Sequence, residues 1–217
     1  VGCPVVFKAH PAHPGVCELV GVAIQRAVKK SNMPEGTCSM VNGRSTQVGM
    51  TLVRHPSIDA IGFNGSFRGG KALFDEANKR PVPIPVYAEV GSTKPLFILL
   101  DALNKRKEKI AQDLAAAVTL GVGQFCTNPG LVFIPDSEAS SQFKEVLASN
   151  FKGIAAGVML TSGIQGSYQK GLEKLSKVNG VDTLAKGTTE GSGSRGVPHL
   201  LHASIDSFSK DHTLKEE

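Results

Sequence analysis

Apolar positions in the first ninety residues switch repeatedly between two rhythms. The unbroken run VVFK at 5–8 reads as a buried strand. Over 15–31 the rhythm changes: Leu19, Val20, Ala23, Ile24, Ala27 and Val28 form a stripe at helical spacing, which MPEG at 33–36 ends. CSMV at 38–41 predicts a second strand and 47–54 a second helix. DAIGF at 59–63, the stretch 69–79 and IPVYAEV at 84–90 predict strand, helix and strand again. Strands alternating with helices across short loops predict a parallel, doubly wound sheet of the α/β class.

The second half continues the pattern. KPLFILLD at 94–101 predicts a strand, 108–120 a helix and 131–134 a strand. PDSEASSQF opens a helix running to about residue 152, and a further helix is expected over 166–177. The stretch 180–196 reads as a loop because its GTTEGSGSRG portion is poor in apolar residues. HLLHAS at 199–204 is a last strand, and there is no internal repeat. The expected division is a first domain over 1–91 and a second over 92–217.

Open α/β sheets bind ligands beyond the carboxyl ends of their strands. Those ends carry Lys8 with His10, then Asn42 with Gly43, then Asn64, Gly65 and Ser66, then Glu89. GFNGSFRGG at 62–70 follows a strand and opens a helix, a place where glycines admit a ligand to the backbone and free N–H groups attract phosphate. The run GVGQFCTNPG at 121–130 sets Cys126 between small residues that leave its sulfur approachable. Cys126 reads either as a nucleophile or as a small apolar residue in a turn.

Composition narrows the options. The net charge of +5 is modest, the one dense basic run is NKRKEK at 104–109, and there is no Trp, so nucleic acid is not an expected partner. No apolar run approaches the roughly 20 residues of a membrane helix. Cys3, Cys17, Cys38 and Cys126 are far apart, without a CxxC. That argues against a metal site and a disulfide framework, and predicts a cytoplasmic protein. The chain opens inside a strand-like run and ends on KDHTLKEE, and it is expected to be a segment of a longer protein.

Taken together, VVFKAHPAHP, GFNGS, YAEVGSTKP, GQFCTNPG and the terminal LKEE resemble, in order, the motifs of the NAD(P)-dependent aldehyde dehydrogenase superfamily. KAHPAHP, PIPVYAE and GQFCTNPG are closest to its α-ketoglutaric semialdehyde (2,5-dioxopentanoate) and fatty aldehyde dehydrogenase subgroup. The resemblance implies parallel doubly wound sheets, with an incomplete cofactor domain followed by an incomplete catalytic domain. It implies oxidation of an aldehyde, such as α-ketoglutaric semialdehyde, to a carboxylic acid. Cys126 would be the nucleophile, passing through a thiohemiacetal and a thioester, and Glu89 the general base. Lys8, His10, Arg44, Gly65, Ser66 and Glu217 would hold NADP or NAD. NADP is favoured, because Pro11 stands where NAD-preferring members carry a glutamate.

The full-length protein would be a homodimer or homotetramer acting on a small aldehyde. Two departures stand out: Asn64 replaces the usual Thr, and VGSTKP differs from the family's LGGKNP. The family's oxyanion asparagine falls upstream of Val1, so the alternative is a catalytically silent segment or pseudoenzyme of the same fold. A cofactor-free cysteine hydrolase would need a histidine base, and His10, His13 and His55 fit no such signature.

Overall fold

A computed structural model describes residues 2–91, 93–189 and 191–215. The chain divides between Val90 and Gly91 into two compact units. In the first, strand β1 (Val5–Lys8) runs parallel to β2 (Cys38–Val41), with helix α1 (Pro14–Lys30) connecting them. Helix α2 (Thr46–Arg54) leads to β3 (Ile61–Gly65), which pairs in parallel with β4 (Val86–Val90) through helix α3 (Phe67–Asn78).

Local chemistry sets these boundaries. Pro14 opens α1, where its missing N–H costs nothing. The Ser45 and Ser66 hydroxyls accept from the backbone of Gln47 and Gly69, capping α2 and α3. The face of α3 that meets β4 has no room for a side chain: a Cβ on buried Gly70 would lie 2.6 Å from a Val90 methyl. Arg54 on α2 pairs with Glu76 on α3, and its hydrogen bond holds the Glu76 carboxyl below its usual range. Arg80 ties the segment before β3 to α2, donating to the carbonyls of Val53 and Ile58 at 3.0 and 2.8 Å.

The second unit opens with β5 (Leu96–Phe97) and helix α4 (Leu100–Thr119), followed by β6 (Val132–Phe133), which pairs in parallel with β5. Helix α5 (Glu138–Lys152), β7 (Gly157–Val158) and helix α6 (Ser162–Leu175) come next. Then follow β8 (Val181–Lys186), β9 (Arg195–Gly196), β10 (His199–Ala203) and the short helix α7 (Ile205–Lys210). Strands β7 and β9 pair antiparallel, as do β8 and β10. The core lies between α4 and α5, where Leu103, Ala111, Leu114 and Ala115 meet Phe143, Leu147 and Phe151, with Ile98 and Ala185 beside them.

Strand–helix alternation with parallel pairing is as the sequence predicts in the first unit and for β5 with β6. Three expectations for the second unit are corrected. The strand expected over 94–101 is two residues long, and helix begins at Leu100 instead of near 108. The apolar run LFILL fits either state, and helix wins because it carries Leu103 into the α4–α5 core and lets Asp101 pair with Lys105. The loop expected over 180–196 contains β8, whose Ala185 is buried, and β9. The antiparallel pairs are the third correction, since a wholly parallel sheet was expected.

Tyr168 on α6 donates from its hydroxyl to the carbonyl of Val197 at 2.6 Å. Burial is the main cause that pushes its phenol up to about 12. The folded state therefore holds this proton more tightly than the unfolded chain, whose tyrosine titrates near 10. Stability from this group is complete below pH 10 and is lost as pH rises toward 12. Urea midpoints measured across that window are expected to fall, and less steeply in Tyr168→Phe.

Candidate functional site

In the first unit, the site is built at the carboxyl ends of β1 and β2. The backbone N–H of Ala9 donates to Val41 at 2.9 Å, continuing the ladder one residue past Lys8 and burying Ala9. Beyond it the segments that follow β1 and β2 line a hollow of about 290 Å³. Ala9, His10 and Pro11 line one side, Asn42, Gly43 and Arg44 the other, and Pro14 and Glu18 the α1 side.

The His10 and His13 rings stack with centroids 4.6 Å apart. The His10 ring nitrogen accepts from the backbone of Ala12 at 3.2 Å. Partial burial first, then His13 and Lys8, lower the pKa of His10. At neutral pH His10 therefore brings a flat, uncharged ring, and Arg44 brings the cation. Lys8 is half-buried and donates to its neighbour's carbonyl, Ala9, at 3.2 Å; it is not among the residues lining the hollow.

Glu89 and Asn64 are direct register partners on β4 and β3. The Asn64 side-chain amide donates to the Glu89 carboxylate at 3.2 Å. The residue that departs from the family pattern thus touches the candidate base. At Gly65 any side chain would strike the Phe63 ring, 2.7 Å from a Cβ placed there. Ser66 is exposed and caps α3. Glu217 lies outside the described residues.

Cys126 lies in the second unit, exposed, on the turn between α4 and β6. Helix α4 ends in a tight turn in which Gly121, Val122 and Gly123 all have positive φ, at 57°, 60° and 72°. For Val122 this is strained backbone, costing on the order of 1–3 kcal/mol. Packing holds it there: a Cβ on Gly157 would lie 2.4 Å from a Val122 methyl, and one on Gly196 3.3 Å from another. Only glycines on β7 and β9 leave Val122 this space.

Two side chains finish the loop. Gln124 donates to the carbonyl of Gly121 at 3.0 Å and accepts from the backbone of Leu160 at 3.0 Å. Asn128 donates to the carbonyls of Val118 at 3.0 Å and Gly123 at 3.4 Å. Sequence reasoning missed Asn128, Gln124 and Val122, although all three stand within the run that carries Cys126. Among the described residues no group of three metal-ligating side chains is gathered, and no helix is long and apolar enough to cross a membrane.

The sequence profile of the Aldehyde dehydrogenase family matches residues 1–185. The chain is 48% identical, over 86% of its length, to α-ketoglutaric semialdehyde dehydrogenase 2 of Azospirillum brasilense. It is 44% identical, over 93% of its length, to α-ketoglutaric semialdehyde dehydrogenase of Acinetobacter baylyi. It spans 35% and 38% of the length of these curated relatives.

Among solved structures, the fold matches the NAD-dependent benzaldehyde dehydrogenase of Corynebacterium glutamicum with a TM-score of 0.77 at 24% identity, covering 100% of this chain and 46% of that one. It also matches the glyceraldehyde-3-phosphate dehydrogenase GapN of Methanocaldococcus jannaschii, solved with NADP, with a TM-score of 0.75 at 22% identity, covering 97% of this chain and 46% of that one. With the family profile matched over 1–185 on an α/β frame that sets an exposed cysteine on a braced turn, the chain belongs to the aldehyde dehydrogenase family.

Proposed function

We propose that this chain supplies the cysteine, the base and part of the dinucleotide site of an enzyme that oxidises α-ketoglutaric semialdehyde or a related semialdehyde to the carboxylic acid. The observation that carries the reading is the exposed Cys126 on its braced loop, in a chain 48% and 44% identical to enzymes named for that aldehyde. In this reading residues 1–91 belong to the cofactor domain and 92–217 to the catalytic domain, in a cytoplasmic dimer or tetramer.

The chemistry follows from the residue types. The Cys126 thiolate adds to the aldehyde carbon, giving a thiohemiacetal whose oxygen carries the former carbonyl electron pair. A bound nicotinamide dinucleotide supplies the hydride acceptor for oxidation to a thioester. Glu89 then takes a proton from water, which attacks the acyl carbon; the carbon–sulfur bond breaks and Cys126 leaves as thiolate. Asn64 orients the Glu89 carboxylate through its amide.

The hollow fits an adenosine ribose and its phosphate. Arg44 offers a charged donor fork and the stacked His10 an apolar plane. Lys8 stands at the end of β1 beside this hollow, and Gly65 with Ser66 is assigned to the nicotinamide half. Pro11 presents no carboxylate to repel a 2′-phosphate, which favours NADP. Glu18 on the α1 side of the hollow is the observation that favours NAD, since a carboxylate can accept from ribose hydroxyls.

Titration calorimetry of the chain with each dinucleotide decides between them. NADP is expected to bind more tightly than NAD. Arg44→Ala is expected to weaken NADP by roughly 10–100-fold, the range for losing a charge-assisted hydrogen bond, and to leave NAD nearly unchanged. Equal weakening of both cofactors would remove the 2′-phosphate from Arg44. Tighter NAD binding, lost in Glu18→Gln, would give the site to NAD.

A further inference from the structure

The cysteine loop contains an asparagine two residues past Cys126, close enough in sequence to read as a donor to substrate. The geometry gives it another task. Its side-chain nitrogen has two hydrogens, and two backbone carbonyls take them: Val118, in the last turn of α4, at 3.0 Å, and Gly123 at 3.4 Å. The Val118 contact satisfies a carbonyl at the helix end, where intrahelical partners run out. Asn128 also donates its backbone N–H to the carbonyl of Phe125 at 3.1 Å, closing a turn with Cys126 inside it. One residue therefore forms the turn that presents the thiol and fastens that turn to the end of α4. Val122 and Gln124 brace the other side of the loop against β7 and Leu160.

We propose that Asn128 is a positioning residue for Cys126, fixing the direction in which the thiol is presented without itself touching substrate. The inference rests on the reading of Cys126 as nucleophile. It predicts an asymmetry between a truncating and an isosteric substitution. Asn128→Ala removes the tether. Asn128→Asp places a carboxylate against two carbonyl oxygens, so it repels when ionised and regains one donor when protonated.

The test is the rate of Cys126 alkylation by iodoacetamide in the 217-residue chain. Tryptic peptides separate the four cysteines: Cys126 lies alone in 110–144 and Cys38, the internal reference, alone in 31–44. In the native wild-type chain, Cys126 is expected to react at a rate at least roughly fivefold different from that in urea. In native Asn128→Ala this difference is expected to fall below about twofold, with Cys38 unchanged. Hydrogen exchange of the α4 and α5 amides checks that the second unit stays folded.

In Asn128→Asp the loss is expected to be larger than in Asn128→Ala at pH 7 and to shrink as pH falls toward the carboxyl range. That pH response keeps the proposal testable even where Asn128→Ala fails to fold. A native-to-urea ratio in Asn128→Ala equal to wild type, or an Asn128→Asp deficit independent of pH, would overturn the positioning role alone. A wild-type Cys126 that reacts equally in native and unfolded chains would overturn the nucleophile reading, and the positioning role with it.

Discussion

Cys126→Ala is expected to abolish the aldehyde oxidation proposed above for the full-length protein, including the first turnover. In the proposed mechanism alanine keeps the turn and the packing but removes the sulfur that carries the acyl group. Removing the covalent nucleophile from acyl-transfer enzymes costs on the order of 10⁶ in rate. Stopped-flow absorbance of reduced nicotinamide, with α-ketoglutaric semialdehyde and saturating NADP, reads this directly. Wild type should give a rapid first turnover and the variant none, while both bind dinucleotide equally. A variant that retains a burst at more than about one-hundredth of the wild-type rate would show that hydride leaves an intermediate not held on Cys126. Failure of wild type itself, with every aldehyde and both cofactors, would favour the silent relative.

Phe143→Ala is expected to destabilise the second unit by roughly 3–5 kcal/mol, the usual cost of deleting a fully buried phenyl ring. Phe143 is 1% exposed and stands on α5, in the buried cluster it shares with Leu103 and Ala111 of α4. Three of the four largest fully buried side chains, Phe143, Phe151 and Leu103, belong to this unit; the fourth, Val53, belongs to the other. The loss should therefore appear as earlier urea unfolding of α4 and α5, followed by peptide-resolved hydrogen exchange, with the β1–β4 region little changed. Coincident loss of protection across both units would mean that they unfold as one.

Much of this fold is legible in the sequence because the signals are local. VVFK, CSMV and VYAEV are short apolar or alternating runs bounded by turn residues, and each forms a strand; the burial expected of VVFK is corrected, since Val5 and Val6 are exposed. The failures are the places where a distant partner decides. LFILL continues into helix because α5 offers Leu103 a place to pack. VDTLAK becomes a strand because β10 lies ready to pair with it. The same division runs through the candidate site. Cys126, Glu89 and the strand-end residues can be picked out by type and position. The left-handed Val122 cannot, since its room comes from Gly157 and Gly196, far along the chain. Asn64 could be seen only as a departure from a pattern, and its contact with Glu89 emerges from strand register.

The two strand pairs of the first unit have a practical consequence. Each is a two-stranded sheet, so β1 with β2 and β3 with β4 present open hydrogen-bonding edges among the described residues. Beside them α1 turns Val16, Leu19 and Val20 outward at 59%, 74% and 49% exposure. Bare edges next to greasy helix surface are the ingredients of self-association. Prepared alone, this chain is expected to self-associate, with a shelf life that depends on concentration. Sulfate and phosphate buffers, which strengthen apolar contacts, should shorten it. Dilute stocks and mild chaotropes should keep it dispersed.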